Sequence, residues 1–169
     1  LIGLFKKDFS IIDTAWGLAF VVVYFAGIAT FQGEIDQRNQ LIGVFVCLWA
    51  LRLSGYIFYR SMKLGKEDYR YAAWREEWGS RANLNFYIRV YMLQAVLAAA
   101  VAYPLYLVHY FKVDVPFGTG LDILGTVLFL IGFLFEAIAD FQKNAFKSDS
   151  ANRGKVMQKG LWKYSRHPN

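Results

Sequence analysis

The chain has few of the residues from which disulfide frameworks and metal centres are built. Its 169 residues include one cysteine, Cys47, and two histidines. An internal disulfide is therefore impossible, and a convergent set of metal ligands is not predicted. The sequence also lacks the glycine-rich nucleotide fingerprint and the Walker motif, which excludes a soluble dinucleotide-binding fold. No cleavable signal peptide is evident at the start of the chain.

Charged residues are scarce as well, and apolar residues are in excess. Charged residues make up 19% of the chain and hydrophobic residues 56%, whereas a soluble domain has about a quarter charged residues. Four hydrophobic runs are each near the length of roughly 20 residues that crosses a bilayer. The sequence predicts an all-α polytopic membrane protein with a single domain over 1–169. The predicted spans are 11–31, 41–59, 87–111 and 121–143, and a cytoplasmic loop covers 144–169.

The basic residues lie at the ends of these runs. A net charge of +6 could indicate nucleic acid, but the cations do not alternate with aromatics as in a nucleic-acid groove, so no nucleic-acid partner is predicted. Two lysines, Lys6 and Lys7, precede the first span, and Arg38 follows it. Six cations follow the second span, Lys112 follows the third, and many follow the fourth. By the positive-inside rule, the amino terminus and the loop 144–169 are cytoplasmic.

The polar segment after the second span contains a regular aromatic pattern. Tyr71, Trp74 and Trp78 recur at i, i+3 and i+7, which places them on one face of a helix with charged residues opposite. This pattern predicts a cytoplasmic helix that lies in the membrane interface.

Two carboxylates mark the end of the fourth span. Glu136 and Asp140 are four residues apart, so they share one face of a helix, and like charges in this setting require donors, a metal or water. With His167 as the only nearby histidine, a metal site is too poorly supplied. The cations and glycines that follow favour phosphate binding instead. The alternative without a ligand is a helix end solvated among cytoplasmic lysines.

The last third of the chain resembles a known family. The resemblance lies in Glu136-Ala-Ile-Ala-Asp140, in Phe146-Lys147 and residues 151–155, and in Gly160-Leu-Trp followed by residues 164–169. These stretches are similar to the bacterial uncharacterised branch of the steroid 5-alpha-reductase superfamily, and the similarity extends upstream over nearly the whole chain. The Arg-His-Pro triplet is shared with membrane methyltransferases that act on isoprenylcysteine or phospholipids.

The resemblance implies an integral protein of the bacterial inner membrane with an NADPH pocket open to the cytosol. A hydrophobic substrate, steroid-like or isoprenoid, would enter from the bilayer. Glu136 stands where the steroid-reducing branch has an amide, and the family continues beyond Asn169 with further helices, so we expect this chain to be a fragment. The cofactor-binding residues expected are Glu136, Asp140, Lys147, Arg153, Arg166, His167 and Asn169.

The function expected from this resemblance is an oxidoreductase that uses NADPH to reduce a conjugated carbon–carbon double bond. The alternatives are an S-adenosylmethionine-dependent membrane methyltransferase, and a non-catalytic scaffold whose basic loop rests on anionic lipid. A methyltransferase would need fewer phosphate-neutralising cations. No motif assigns the proton donor to the substrate, for which Asp13, Tyr91 and Gln94 are candidates. The identity of the substrate and the oligomeric state are not predicted.

Overall fold

The computed structural model describes residues 8–111 and 115–169, and within these residues it contains helices and no strand. Four stretches are long and apolar enough to cross a membrane, which confirms the predicted all-α polytopic class. The chain divides into two compact units, Leu1–Asp114 and Val115–Asn169. The helices are α1 (Ile11–Thr30), α2 (Gln37–Leu64), α3 (Tyr69–Trp78), α4 (Ala82–Asn85), α5 (Leu93–Leu107) and α6 (Gly120–Ser148).

The candidate spans differ in their bounds from the predicted ones. They are Ile11–Thr30, Gln37–Leu64, Tyr69–Leu107 and Gly120–Ser148. The second span was predicted too short because its polar ends are also helical. Asp36 caps α2 by accepting a hydrogen bond from the Asn39 amide at 2.7 Å, and Gly65 ends it with a φ of 62°.

The segment predicted as a loop from 144 begins with helix, because α6 continues to Ser148. The third span is a composite in which α3, α4 and α5 are joined through a 3₁₀ turn at Gly79–Arg81 and a π-helical segment at Phe86–Met92. Of the cations used for the orientation, Lys6, Lys7 and Lys112 lie outside the described residues.

The first unit is built around α1, which packs against α2 and α5. Phe20 and Tyr24 of α1 form an apolar cluster with Val46 and Ala102. The Tyr24 hydroxyl donates to the Asn39 carbonyl at 2.5 Å, so its polar end has a partner although the ring is buried. Ala102 suits this cluster, because small residues let helix backbones approach closely in a membrane, where lipid provides no hydrophobic driving force for helix association.

The aromatic face predicted for residues 71–78 is present on α3. Tyr71 packs edge-on against Trp74, with ring centroids 5.6 Å apart, and Trp74 stacks on Trp78 at 5.8 Å. Tyr71 is buried in a second apolar cluster, which includes Phe9 and Phe86. The aromatic pattern therefore serves as a packing face, and an in-plane position of α3 in the membrane interface stays a prediction.

The second unit consists of α6 and the segment that follows it. The Asp122 carboxylate accepts from the backbone amides of Gly118 and Thr119 at 3.0 and 3.1 Å, which fixes the beginning of α6. Apolar side chains of α6 such as Leu121, Leu128 and Phe141 are exposed, as expected of a helix that faces lipid. After the carboxyl-terminal end of α6 the chain reverses direction, and residues 161–169 bind to the last turns of the same helix. These contacts position the basic residues that follow α6.

Candidate functional site

A large cleft with basic walls lies at the carboxyl-terminal end of α6. Its volume is about 1350 Å³, and its apolar lining includes Phe146, Met157 and Trp162. Within the part of the chain that the structure describes, Asp149 is the one carboxylate that lines the cleft. The six cations that line it are Lys143, Lys147, Arg153, Lys155, Lys163 and Arg166.

One wall of the cleft is a short loop that covers the end of α6. The Asn152 side chain donates to the Phe146 carbonyl at 3.0 Å, and the Asp149 carboxylate accepts from the Ala151 amide at 2.9 Å. Gly154, with a φ of 77°, then turns the chain. The exposed carbonyls of a helix end attract positive charge, so Lys147 in the last turn of α6 is favourably placed.

Another part of the cleft lining comes from residues 160–169, which we call the strap, and of these Trp162–Arg166 line the cleft. Three hydrogen bonds tie the strap to the last turns of α6. The Leu161 amide donates to Gln142 Oε1 at 3.0 Å, the Trp162 indole donates to the Ala139 carbonyl at 3.0 Å, and Asn169 Nδ2 donates to Asp140 Oδ1 at 2.6 Å. Both ends of the strap are therefore fixed to the same helix.

The first residue of the strap has to be a glycine. Gly160 has a φ of 60°, a conformation that L side chains rarely adopt. A Cβ at this position would also collide with the side-chain amide of Gln142. The close approach of backbone and amide is what allows Gln142 to accept the hydrogen bond from Leu161.

The structure separates the seven expected cofactor-binding residues into three groups. Lys147, Arg153 and Arg166 line the cleft. Asp140 and Asn169 are hydrogen-bonded to each other. Glu136 and His167 are not among the described residues that line the cleft: Glu136 is half-buried on α6, and His167 is exposed, with its backbone amide donating to Ser165 Oγ at 3.2 Å.

Sequence reasoning counted Lys143, Lys155 and Lys163 among the cations that follow Asp140 without assigning them to the site, and it gave Gln142 and Trp162 no role. Lys143 Nζ lies 4.7 Å from the centroid of the Trp162 ring, a cation–π contact in the wall of the cleft. A tryptophan within a basic, polar segment was an available signal, because a buried indole N–H usually finds a hydrogen-bond partner. Nothing in the sequence distinguishes Gln142 from a solvated side chain.

The candidates for a substrate proton donor lie in the first unit and are engaged in a separate cluster. The Tyr71 hydroxyl donates to Asp13 Oδ1 at 2.7 Å, and Arg70 Nη2 donates to Asp13 Oδ2 at 3.1 Å. The Tyr91 hydroxyl donates to the Phe9 carbonyl at 3.2 Å. Asp13 is thus an acceptor that ties α1 to α3.

One comparison with known proteins gives a match. The family model described as "Protein of unknown function (DUF1295)" matches residues 1–169. No curated protein and no solved structure matches the chain.

Proposed function

We propose that this chain, which belongs to the DUF1295 family over residues 1–169, is an NADPH-dependent membrane reductase of a conjugated carbon–carbon double bond in a hydrophobic substrate. The observation that carries the proposal is the basic cleft at the end of an apolar helix. The family's association with steroid 5-alpha-reductase-like proteins supports the same chemistry.

The charges of the cleft fit a ligand with several phosphate groups. Six cations against one carboxylate among the described lining residues make a strongly positive concavity, and such concavities concentrate anionic ligands. NADPH presents a pyrophosphate and a 2′-phosphate, and arginine is well shaped to bind phosphate oxygens in pairs. S-adenosylmethionine carries a positive sulfonium centre, so the same charges oppose its binding.

The size of the cleft also fits a ligand as large as a dinucleotide. Small-molecule sites occupy roughly 300–1,000 Å³, and the cleft, at about 1350 Å³, exceeds that range. We assign Lys147, Arg153 and Arg166 to the cofactor phosphates. Glu136 and His167 stay proposed cofactor contacts on the strength of the family resemblance alone.

When bound, NADPH supplies the hydride equivalent that, together with one proton, converts a conjugated double bond into a single bond. The cations of this chain would hold the phosphate groups and so fix the position of the cofactor. The apolar helices would keep the hydrophobic substrate in the bilayer until it reaches the reacting groups.

Binding to the purified, detergent-solubilised full chain tests this proposal. We expect NADPH to bind more tightly than NADH, and S-adenosylmethionine not to bind. Arg153→Gln and Arg166→Gln should each weaken NADPH binding by about tenfold, because each removes a charge-assisted contact with phosphate. The matched control is Lys159→Gln, which removes a cation of the same segment that is not among the described lining residues and should leave the affinity within about twofold.

Two results would contradict the proposal. Binding of S-adenosylmethionine in preference to NADPH would favour the methyltransferase. Binding of neither ligand, with vesicles of anionic lipid retained through the same arginines, would favour the scaffold. If NADPH binds, its oxidation in the presence of hydrophobic enones is the next measurement.

A further inference from the structure

We propose that a groove in the first unit binds a phospholipid with an ammonium head group. The groove lies between the beginning of α2 and the end of α5. Its volume of about 330 Å³ is within the range of roughly 300–1,000 Å³ that small-molecule sites occupy. Its described lining residues all belong to the first unit, so the proposal does not depend on the basic cleft or on the proposed function.

The groove lies at the level where lipid head groups meet acyl chains. The span α1 ends at Thr30 and the span α2 begins at Gln37, so the loop between two spans is at this end of the unit. Tyr106 and Tyr110, at the end of α5, have hydroxyls 3.3 Å apart, and the Tyr110 hydroxyl lies 2.7 Å from Thr30 Oγ1. Tyrosines of this kind are enriched at the membrane–water interface. A lipid beside this end therefore presents its head group to the loop and its chains to the helices.

The α5 side of the groove is apolar. It consists of Pro104, Leu107, Val108 and Phe111, and the Phe111 side chain is 68% exposed. These residues fit an acyl chain. They do not select one lipid from another, because the surrounding lipid tails are as apolar as the side chains themselves. Selectivity therefore has to come from the polar side of the groove.

The α2 side of the groove supplies three polar residues, Asp36, Arg38 and Asn39. Asn39 is 6% exposed. Its amide donates to Asp36 Oδ1 at 2.7 Å, and its carbonyl accepts from the Tyr24 hydroxyl. The side-chain amide of Asn39 forms no hydrogen bond with the part of the chain that the structure describes. A polar side chain so deeply buried normally has a partner, and a ligand in the groove would provide one.

The charges on this side are complementary to a zwitterionic head group. Asp36 is exposed and uses Oδ1 to cap α2, so its Oδ2 can accept from an ammonium group. Arg38 carries five N–H donors, enough to bind a phosphate oxygen beside another partner. We assign the ammonium group to Asp36, the phosphate to Arg38 and an ester carbonyl to the Asn39 side chain. A purely anionic head group would instead place negative charge against Asp36.

Lipid titrations of the purified, detergent-solubilised full chain, followed by native mass spectrometry, test this proposal. Phosphatidylethanolamine and phosphatidylglycerol with the same acyl chains are compared. We expect phosphatidylethanolamine to bind about fivefold more tightly, because it alone carries an ammonium group for Asp36. Asp36→Asn keeps an oxygen that caps α2 and should reduce this preference to within about twofold. Asn39→Ala should weaken both lipids by about threefold to tenfold through the lost hydrogen bond.

Two matched controls separate the groove from its surroundings. Glu34→Gln removes an exposed acid of the same loop that is not among the described lining residues, and it should leave the lipid preference unchanged. Leu107→Trp fills the apolar side of the groove and should weaken both lipids by about tenfold or more. Val101→Trp, at a 63% exposed position of the same helix outside the described lining, should leave both affinities within about twofold.

The outcomes decide the proposal without reference to NADPH. Equal affinity for the two lipids, or tighter binding of phosphatidylglycerol, would overturn the assignment of the ammonium group to Asp36 and with it the proposal. Lipid binding that Leu107→Trp does not weaken would place the lipid elsewhere on the protein. If the unmodified chain retains neither lipid, another part of the full chain or a second copy covers the groove, and the proposal fails. Binding of NADPH by the same preparation tests the proposed function separately.

Discussion

At the scale of single residues, Gly27 decides how closely α1 and α5 approach. The ring of His109, just beyond the end of α5, is 1% exposed, and its Nε2 is 3.2 Å from the Tyr24 carbonyl. A Cβ on Gly27 would lie 2.6 Å from His109 Cδ2 and 3.0 Å from the Tyr106 carbonyl oxygen. The second of these is a backbone atom that a side-chain rotation cannot move, so a methyl group there has to push the backbone apart.

We therefore expect Gly27→Ala to destabilise the chain by about 1–3 kcal/mol, the usual cost of overpacking. The thermal unfolding midpoint in detergent measures this. Gly55 is the matched control, because it also lies within a helix but has no atom within 4 Å of the added methyl. Gly55→Ala should raise stability by up to about 1 kcal/mol through helix propensity. If the thermal unfolding midpoint of Gly27→Ala equals or exceeds that of the unmodified chain, α1 and α5 do not approach each other this closely at Gly27.

Gly27 and Gly55 also show where sequence reasoning ends at this scale. Both are glycines within apolar helical runs, and no local pattern separates them. One is required by a neighbouring backbone and the other is not, and that difference arises from which helices pack together. The hydrogen bond between Asp140 and Asn169 is a similar case. The family resemblance implied that both residues contact the cofactor, which stays a prediction, and no pattern in the sequence indicates that their side chains also meet each other.

At the scale of elements, α3 depends on the Asp68 carboxylate at its beginning. Asp68 Oδ1 accepts from the Arg70 amide and from Arg70 Nε, both at 3.0 Å. Partial burial alone would raise the pKa of Asp68, but the hydrogen bonds from Arg70 outweigh it and hold the pKa below its ordinary value. A carboxyl group whose pKa is lowered by folding stabilises the fold above its ordinary pKa of about 3.9, and this contribution is lost as the pH falls through the folded value.

Asp68→Asn should therefore change the pH dependence of stability more than the neutral-pH stability. An amide oxygen still caps the helix, so we expect a loss below about 1 kcal/mol near pH 7. Thermal midpoints of the two chains, measured from neutral to acid pH, should begin to converge below about pH 4 and should meet once the pH lies below the folded pKa of Asp68, where the carboxylate is protonated. Midpoints that stay separated by the same amount at every pH would mean that the charge of Asp68 does not contribute. Asp68→Ala also loses the cap and should be less stable by about 0.5–2 kcal/mol even in acid.

The elements themselves were predicted with uneven success, for physical reasons. Long apolar runs specify membrane spans directly, so all four were found. Their ends were misplaced where capped polar residues extend a helix, as at Gln37 and Ser148. The π-helical segment Phe86–Met92 was not predicted, because its side chains read as an ordinary apolar helix.

At the scale of the whole molecule, composition predicted the basic cleft but not its construction. Nineteen lysines and arginines, many of them after residue 143, indicated a positively charged surface. The closure of that surface into a cleft depends on contacts between residues 19 to 29 positions apart, such as those that hold the strap to α6. Pairings at that separation leave no periodic signal in a single sequence.

The charge distribution also predicts how the chain is oriented in the membrane. By the positive-inside rule we expect the short loop after α1 to face outward, and both the loop after α2 and the segment after α6 to face the cytoplasm. Exposed positions are available in all three places: Glu34, Lys66 and Ser150. Since Cys47 is the one native thiol, a Cys47→Ala background allows each position to be labelled separately.

In intact cells, a membrane-impermeant maleimide should label Glu34→Cys and leave Lys66→Cys and Ser150→Cys unlabelled. Permeabilised cells should show labelling at all three positions, which controls for accessibility. Labelling at Ser150→Cys and protection at Glu34→Cys would mean that the orientation is the reverse of the predicted one. The basic cleft would then face away from the cytosol and its NADPH, which would remove the basis of the proposed reductase. Different protection at Lys66 and Ser150 would contradict four spans, because two further crossings separate these positions and return the chain to the same side.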